Sequence, residues 1–363
     1  MTQRRRWWQI LKWAVVLAIL AGVSWQLLKI LQAPELREID GERSATAVLW
    51  QYVRSTRPGW LLASGALYLL GLGFPALFWA RLQRHLGQEL PDALTVCRAY
   101  YVSHLGKYLP GKAWALALRA MLIGGSRRQM AVAGVAAFYE VLTTMTGGVL
   151  FAAVVFALLM PTRGQLPDWT TIKDLFTFRL GDGESVDGMA LVVISLLLAL
   201  PVGLPLLPPI FNRIVMRTTS PFRQADSPPL PSVRTPFLLE GLVLSCGTWL
   251  LFGASMTAVF HAVLPQPPEW TLSLCGRHTA FFAVGYVASF LIFVVPGSIG
   301  VREYFLTLFL VPEIIASTGL DHAEARVAVV VSVLILRLVW TLAEFLISGV
   351  LVLIPILAGR FKQ

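Results

Sequence analysis

The feature that most constrains this chain is a series of apolar runs long enough to cross a bilayer. A spanning helix needs about 20 mostly apolar residues. Six segments reach that length, at roughly 11–31, 60–80, 130–160, 188–210, 237–262 and 326–357. Backbone polar groups in hydrocarbon must be satisfied within the segment or around a closed barrel, and runs this long do so as helices. We therefore read an all-α polytopic membrane protein, a single transmembrane domain over 1–363 with six spanning helices. Charged residues make up 14% of the chain, against about 25% for a soluble domain.

Two further apolar stretches are interrupted. One runs from Ala93 to Ile123 and is broken at Pro110-Gly111; the other runs from Leu272 to Val311 and is broken at Pro296-Gly297. Pro removes a backbone donor and clashes with the preceding turn, and Gly permits a sharp reversal. Each stretch reads as a Pro-Gly-broken re-entrant hairpin, or as two tightly turned helices, and makes no net crossing.

Loop charges orient this arrangement. With the N-terminus cytoplasmic, the inside segments hold 14 Lys and Arg and the outside segments hold 7, as the positive-inside rule requires. The C-terminus is then cytoplasmic too. The opening MTQRRRWWQILKW resembles the basic region of a signal peptide. The apolar run that follows, Trp13 to Leu31, ends in no small-x-small cleavage site. It reads as an uncleaved first helix with Trp7, Trp8 and Trp13 at the interface. The loop at 161–187 suits a short interfacial helix, and the Pro- and Ser-rich stretch 217–236 reads as a linker between halves. The net charge of +10 lies mostly in short loops beside apolar spans. That argues for orientation and anionic lipid headgroups as partners, and against nucleic acid.

The two halves repeat one order of parts. A spanning helix, a broken hairpin and a long spanning helix fill about 60–160 and recur over about 237–357, joined by the connecting helix 188–210. One intervening crossing inverts the second unit. Broken helices at corresponding positions of inverted repeats are a transporter pattern and point to its binding site.

The breaks also carry charge. Lys107 and Lys112 bracket the first turn, with Tyr108 between them, and Arg119 lies two helical turns beyond Lys112 on the same face. Free N–H groups at a half-helix start favour an anion, and Lys with Arg suits a phosphate. In the second hairpin Gly300, Arg302 and Glu303 follow the Pro-Gly pair. Glu140, Arg337 and Glu344 sit inside long spans, where charges are expensive and face a cavity or a partner. The bland alternatives are lysines that snorkel to the interface, and structural ion pairs, Arg337 with Glu344 or Arg119 with Glu140. Cys97, Cys246 and Cys275 read as small buried residues. The five histidines are scattered, so no metal and no cofactor is expected.

The stretches GKYLPGKAWALALR (Gly106 to Arg119) and VPGSIGVRE (Val295 to Glu303) resemble the two signatures of the lysylphosphatidylglycerol synthase transmembrane, or flippase-like, family. Ser298 stands where that family usually has a second Gly. Ala113-Trp114-Ala115 replaces its usual Gly-Glu pair. The resemblance implies a bacterial inner-membrane protein that moves lipids between leaflets: anionic phospholipids, aminoacylated lipids or polyprenyl-phosphate-linked lipids. This chain carries no aminoacyl-transferase domain, so synthase activity is not expected. No GxxxxGK[ST] occurs, which makes movement passive or ion-coupled, with Glu140 and Glu344 as candidate proton carriers. The competing readings are an intramembrane lipid-modifying transferase, for which no nucleophile–base pair or Asp-rich motif is found, and an accessory scaffold for a lipid or glycan synthase.

Overall fold

A computed structural model describes residues 52, 54, 56–108, 114–161, 170, 187–222, 230–291 and 301–357. The described residues form helices and no strand. In chain order the helices are α1 (Pro58–His85), α2 (Ala93–His104), α3 (Trp114–Ile123), α4 (Arg127–Leu159), α5 (Gly188–Gly203), α6 (Pro208–Thr219), α7 (Thr235–Val263), α8 (Leu272–Leu291), α9 (Val301–Thr318) and α10 (His322–Leu357). Five helical segments are long and apolar enough to cross a membrane: Pro58–His85, Arg127–Leu159, Gly188–Leu206, Thr235–Val263 and Glu324–Ile354. They match five of the six spans read from the sequence, and the chain is a multi-pass membrane protein. The sixth, 11–31, lies outside the described residues, as do both Pro-Gly breaks. The outer faces fit a lipid solvent. Leu62, Leu70 and Leu77 on α1, Val243 on α7 and Leu342, Leu346 and Leu353 on α10 are all exposed.

The helices that flank the two Pro-Gly stretches differ in length. Among the described residues α2 has 12 residues and α3 has 10, roughly 18 and 15 Å at 1.5 Å per residue. The second pair, α8 and α9, has 20 and 18 residues. α2 continues into a 3-10 turn at Leu105–Tyr108. There Gly106 lets the returning limb close in: a Cβ at this position would lie 2.7 Å from the Ala115 amide nitrogen and 2.9 Å from Leu118 Cδ1.

α1 and α7 lie side by side and run in opposite directions. The Arg57 amide, at the start of α1, donates to the Ala262 carbonyl at the end of α7 at 3.1 Å. Arg81, near the end of α1, pairs with Glu240 near the start of α7. Midway, the Ser64 and Ser255 hydroxyls are 2.8 Å apart and the Trp340 indole of α10 donates to Ser255 at 2.9 Å. Small polar residues of this kind tie helices together where water cannot. The other contacts come in matched sets. α3 packs on α4 as α9 packs on α10; α2 packs on α10 as α8 packs on α4; α1 meets α4 and α10, and so does α7.

Two boundaries differ from the sequence reading. The connecting helix does not run to 210. Its α-helical part ends at Gly203, a 3-10 turn covers Leu204–Leu206, and α6 starts at Pro208. Pro205, Pro208 and Pro209 cannot donate to the preceding turn, so the helix stops and restarts. Residues read as cytoplasmic loop thus include a 12-residue helix that buries Phe211, Val215 and Thr219 and exposes Met216. The linker returns beneath it: Asn212 donates to the Val233 carbonyl at 3.0 Å and accepts from the Val233 amide at 2.8 Å. The long helices also start earlier than their apolar runs, because cap residues set the start. Ser126 and Gln129 form a capping box on α4, and Asp321 accepts from the Glu324 amide at 2.8 Å at the head of α10.

Candidate functional site

Two charged clusters lie within the helical core, one for each long helix. The first centres on Glu140 of α4, which is 3% exposed. The Arg119 guanidinium of α3 donates to its Oε2 at 2.5 Å, and the Tyr100 hydroxyl of α2 donates to Oε1 at 3.2 Å. Arg119 is itself 2% exposed. Its Nε donates to the Ser103 hydroxyl at 3.1 Å, and its guanidinium lies 4.0 Å from the Tyr100 ring centroid and 5.5 Å from that of Trp79. Every side of this pair is filled by protein. Buried guanidinium and carboxylate groups need that much satisfaction to offset their desolvation.

The second cluster centres on Glu344 of α10, which is 1% exposed. Its Oε1 accepts from the Tyr68 hydroxyl of α1 and from the Lys107 ammonium of the 3-10 turn. Its Oε2 accepts from the Tyr108 hydroxyl at 3.0 Å, and that hydroxyl lies 2.9 Å from Thr341 Oγ1. The Tyr68 ring stacks on Trp340 with centroids 4.1 Å apart, which fixes the hydroxyl's direction. Lys107 differs from its counterpart Arg119: its side chain remains 41% exposed while the carboxylate that it holds is closed off. It is a lysine with one side on a buried acid and the other on open space.

A third group adjoins this open side. Arg337 of α10 donates to Glu303 of α9 at 2.7 Å, and Arg302 donates to the same oxygen at 3.3 Å. Their side chains are 17–18% exposed. Arg302 Nε is buried and has no hydrogen-bond partner among the described residues. Arg302 and Arg337 are both close enough to Lys107 to repel it electrostatically. Tyr286 of α8 is within electrostatic range of Arg302 and of both glutamates.

The structure thus gathers Lys107, Tyr108, Arg302, Glu303, Arg337 and Glu344 around one region and places Arg119 and Glu140 in a sealed neighbour. The pairing of Arg337 with Glu344 considered from the sequence does not occur. Seven residues along a helix separate them by roughly 10 Å of rise, and each instead meets a partner on another element. Pro110, Gly111, Lys112, Pro296, Gly297 and Gly300 lie outside the described residues. Sequence reasoning missed Tyr68, Thr341 and Tyr286. The signal for the tyrosines was present, since a phenol inside an apolar span needs a hydrogen-bond partner. Thr341 had no such signal.

A separate cleft of about 380 Å³ opens between the end of α4 and α5, α8 and α9. Arg277 crosses it to Glu313, donating from Nε at 2.9 Å and from a terminal nitrogen at 2.8 Å. No group of three or more His, Cys, Asp or Glu among the described residues is placed to hold a metal ion. No protein-family model matches the chain, and no curated protein matches it.

Proposed function

We propose that this protein is a lipid translocator of the bacterial cytoplasmic membrane, with both termini cytoplasmic, and that it passes lipids with an anionic headgroup between leaflets. One observation carries the reading: Lys107, in the 3-10 turn at the end of α2, holds a closed-off glutamate while its own side chain stays exposed. An intramembrane cation kept accessible is a ligand-binding group by default. Phosphate suits it, since ammonium and guanidinium groups both form charge-assisted bonds to phosphate oxygens. Arg302, with its unpartnered Nε beside the same region, supplies a second contact.

The inverted repeat supports this reading. The leading helices α1 and α7 are antiparallel, and the contacts that α1–α4 make among themselves and with α7–α10 are matched by those of α7–α10. In both halves a charge on the hairpin's second limb meets the opposite charge on the following long helix: Arg119 with Glu140, and Glu303 with Arg337. Rocking of inverted halves around a site between them is a general route to alternating access. The resemblance of both Pro-Gly stretches to the flippase-like family agrees with the lipid.

Leaflet exchange in proteoliposomes tests the proposal. Fluorescent lipids of different headgroup are reconstituted with the purified chain, and dithionite quenching reports exchange. Exchange that depends on an anionic headgroup and falls in Lys107→Ala supports translocation. No exchange of any lipid by folded protein moves the reading to a scaffold or a transferase.

A further inference from the structure

We infer that Glu344 takes up a proton when an anion engages Lys107, so that a proton accompanies each anionic headgroup; this rests on the translocator reading and names its coupling ion. Glu344 has Lys107 as its one cationic hydrogen-bond partner among the described residues, and its other donors, Tyr68 and Tyr108, are neutral. A phosphate that recruits the Lys107 ammonium takes that cation from the carboxylate. An isolated ionised carboxylate in an apolar interior is far more costly than its protonated form, and such groups neutralise instead.

The surroundings single out Glu344. α1 presents Tyr68, the 3-10 turn Lys107 and Tyr108, α8 Tyr286, α9 Arg302 and Glu303, and α10 itself Arg337 and Thr341. α2 contributes His104, which is within electrostatic range of Lys107. α7 faces this region with the Phe252 ring, against Tyr68 and Trp340. Glu303 is held by two guanidiniums, those of Arg302 and Arg337. Glu140 has a sealed partner that no ligand reaches. Of these three glutamates, Glu344 alone has a cation that is largely exposed. The protonated acid is also served: the chain from Glu344 through Tyr108 to Thr341 can reverse its donors, since each hydroxyl both donates and accepts. Anion and proton then enter and leave together, and the loaded site keeps the charge of the empty one.

The test uses the purified full chain in an uncharged detergent, weakly buffered, with a pH-indicating dye. Short-chain phosphatidylglycerol is titrated in one arm. Dimethyl phosphate, a monoanion with no titration near neutrality, is titrated in the other. Calorimetry reports binding and the dye reports protons. The expected result is about one proton taken up per phosphatidylglycerol bound, with affinity rising up to about tenfold for each unit fall in pH. Equal uptake with dimethyl phosphate supports the proton link while shifting the ligand from lipid to free anion. Binding without uptake overturns this inference alone, and binding by neither probe overturns it together with the lipid reading. Glu344→Gln should lose the uptake; uptake that persists in it assigns the proton elsewhere and overturns the inference. Should that variant fail to fold, infrared difference spectra of the wild type serve. A carboxylic-acid carbonyl band should appear on binding and shift in Tyr108→Phe, and the absence of the band counts against the inference.

Discussion

Glu140 and Glu344 occupy the long helices of the two halves, and both are almost completely buried, yet they are held in opposite ways. Glu140 faces an arginine that is 2% exposed and lies between aromatic rings. Glu344 faces a lysine that is 41% exposed and is otherwise served by two phenols. The choice of cation follows the environment. Arg has a fork of donors that can satisfy several partners at once and is only weakly hydrated, so it suits a closed site. Lys is a compact point charge on a flexible stem, suited to leaving one partner for another. The comparison teaches that burial of a carboxylate does not by itself mark a working group; the accessibility of its partner does.

The largest expected effect breaks the sealed pair. Arg119→Ala leaves Glu140 buried without its cation, and losing one partner of a buried pair costs about 3–5 kcal/mol. Thermal melting in detergent should show a large loss, and Arg119→Met with Glu140→Leu should recover much of it. An Arg119→Ala protein that melts normally and fails only in lipid exchange would make the sealed pair the working one and reverse the comparison.

The next effect belongs to the open pair and falls on transport. Lys107→Ala removes a charge-assisted contact worth about 1.5–3 kcal/mol, which corresponds to roughly ten- to a hundredfold in exchange of an anionic lipid. Its melting point should fall less than that of Arg119→Ala, because Glu344 keeps Tyr68 and Tyr108 as donors. Equal destabilisation by the two variants would erase the distinction between a structural and a working pair.

Much of this contrast was written in the sequence, but not the part that decides it. The spans were legible because length and apolarity are one-dimensional properties. Glu140, Arg337 and Glu344 stood out because charges inside such runs are rare. Partners were not legible: Arg337 and Glu344 share a face of one helix, and only the packing of α9 and of the 3-10 turn sends them to Glu303 and Lys107. The stop at Gly203 was missed because the apolar run continues past it while the prolines end the helix. Tyr68 was passed over because a phenol counts as apolar in a hydrophobicity sum, although its hydroxyl is what fixes Glu344.

Between these extremes lies the hinge of the first hairpin. Gly106→Ala places a methyl 2.7 Å from the Ala115 nitrogen and 2.8 Å from its Cα, backbone atoms that cannot swing aside as the Leu118 side chain can. Overpacking of this kind costs about 1–3 kcal/mol. Because the returning limb carries Arg119 and the turn carries Lys107, the variant should weaken both pairs at once, lowering the melting point and lipid exchange together. A loss confined to one readout would mean that the limbs adjust independently.

The smallest effect sharpens the comparison at the helix starts. α4 and α10 each follow a hairpin through a glycine of positive φ, Gly125 at 96° and Gly319 at 72°, and each begins on a polar cap. On α4 the Ser126 hydroxyl accepts from the Gln129 amide at 3.3 Å while the Gln129 side chain accepts from the Ser126 amide at 2.7 Å. On α10 the Asp321 carboxylate does the capping. Ser126→Ala removes one acceptor at the exposed end of a 33-residue helix, so about 1 kcal/mol of stability should go. The cap lies on the surface, away from both charged clusters, and lipid exchange should be unchanged. If exchange falls as well, the entry of α4 is coupled to the hairpin through Gly125, where a Cβ would lie 2.4 Å from Gln129 Oε1. The first half would then take part in exchange, and its sealed pair would be a pivot rather than a fixed strut.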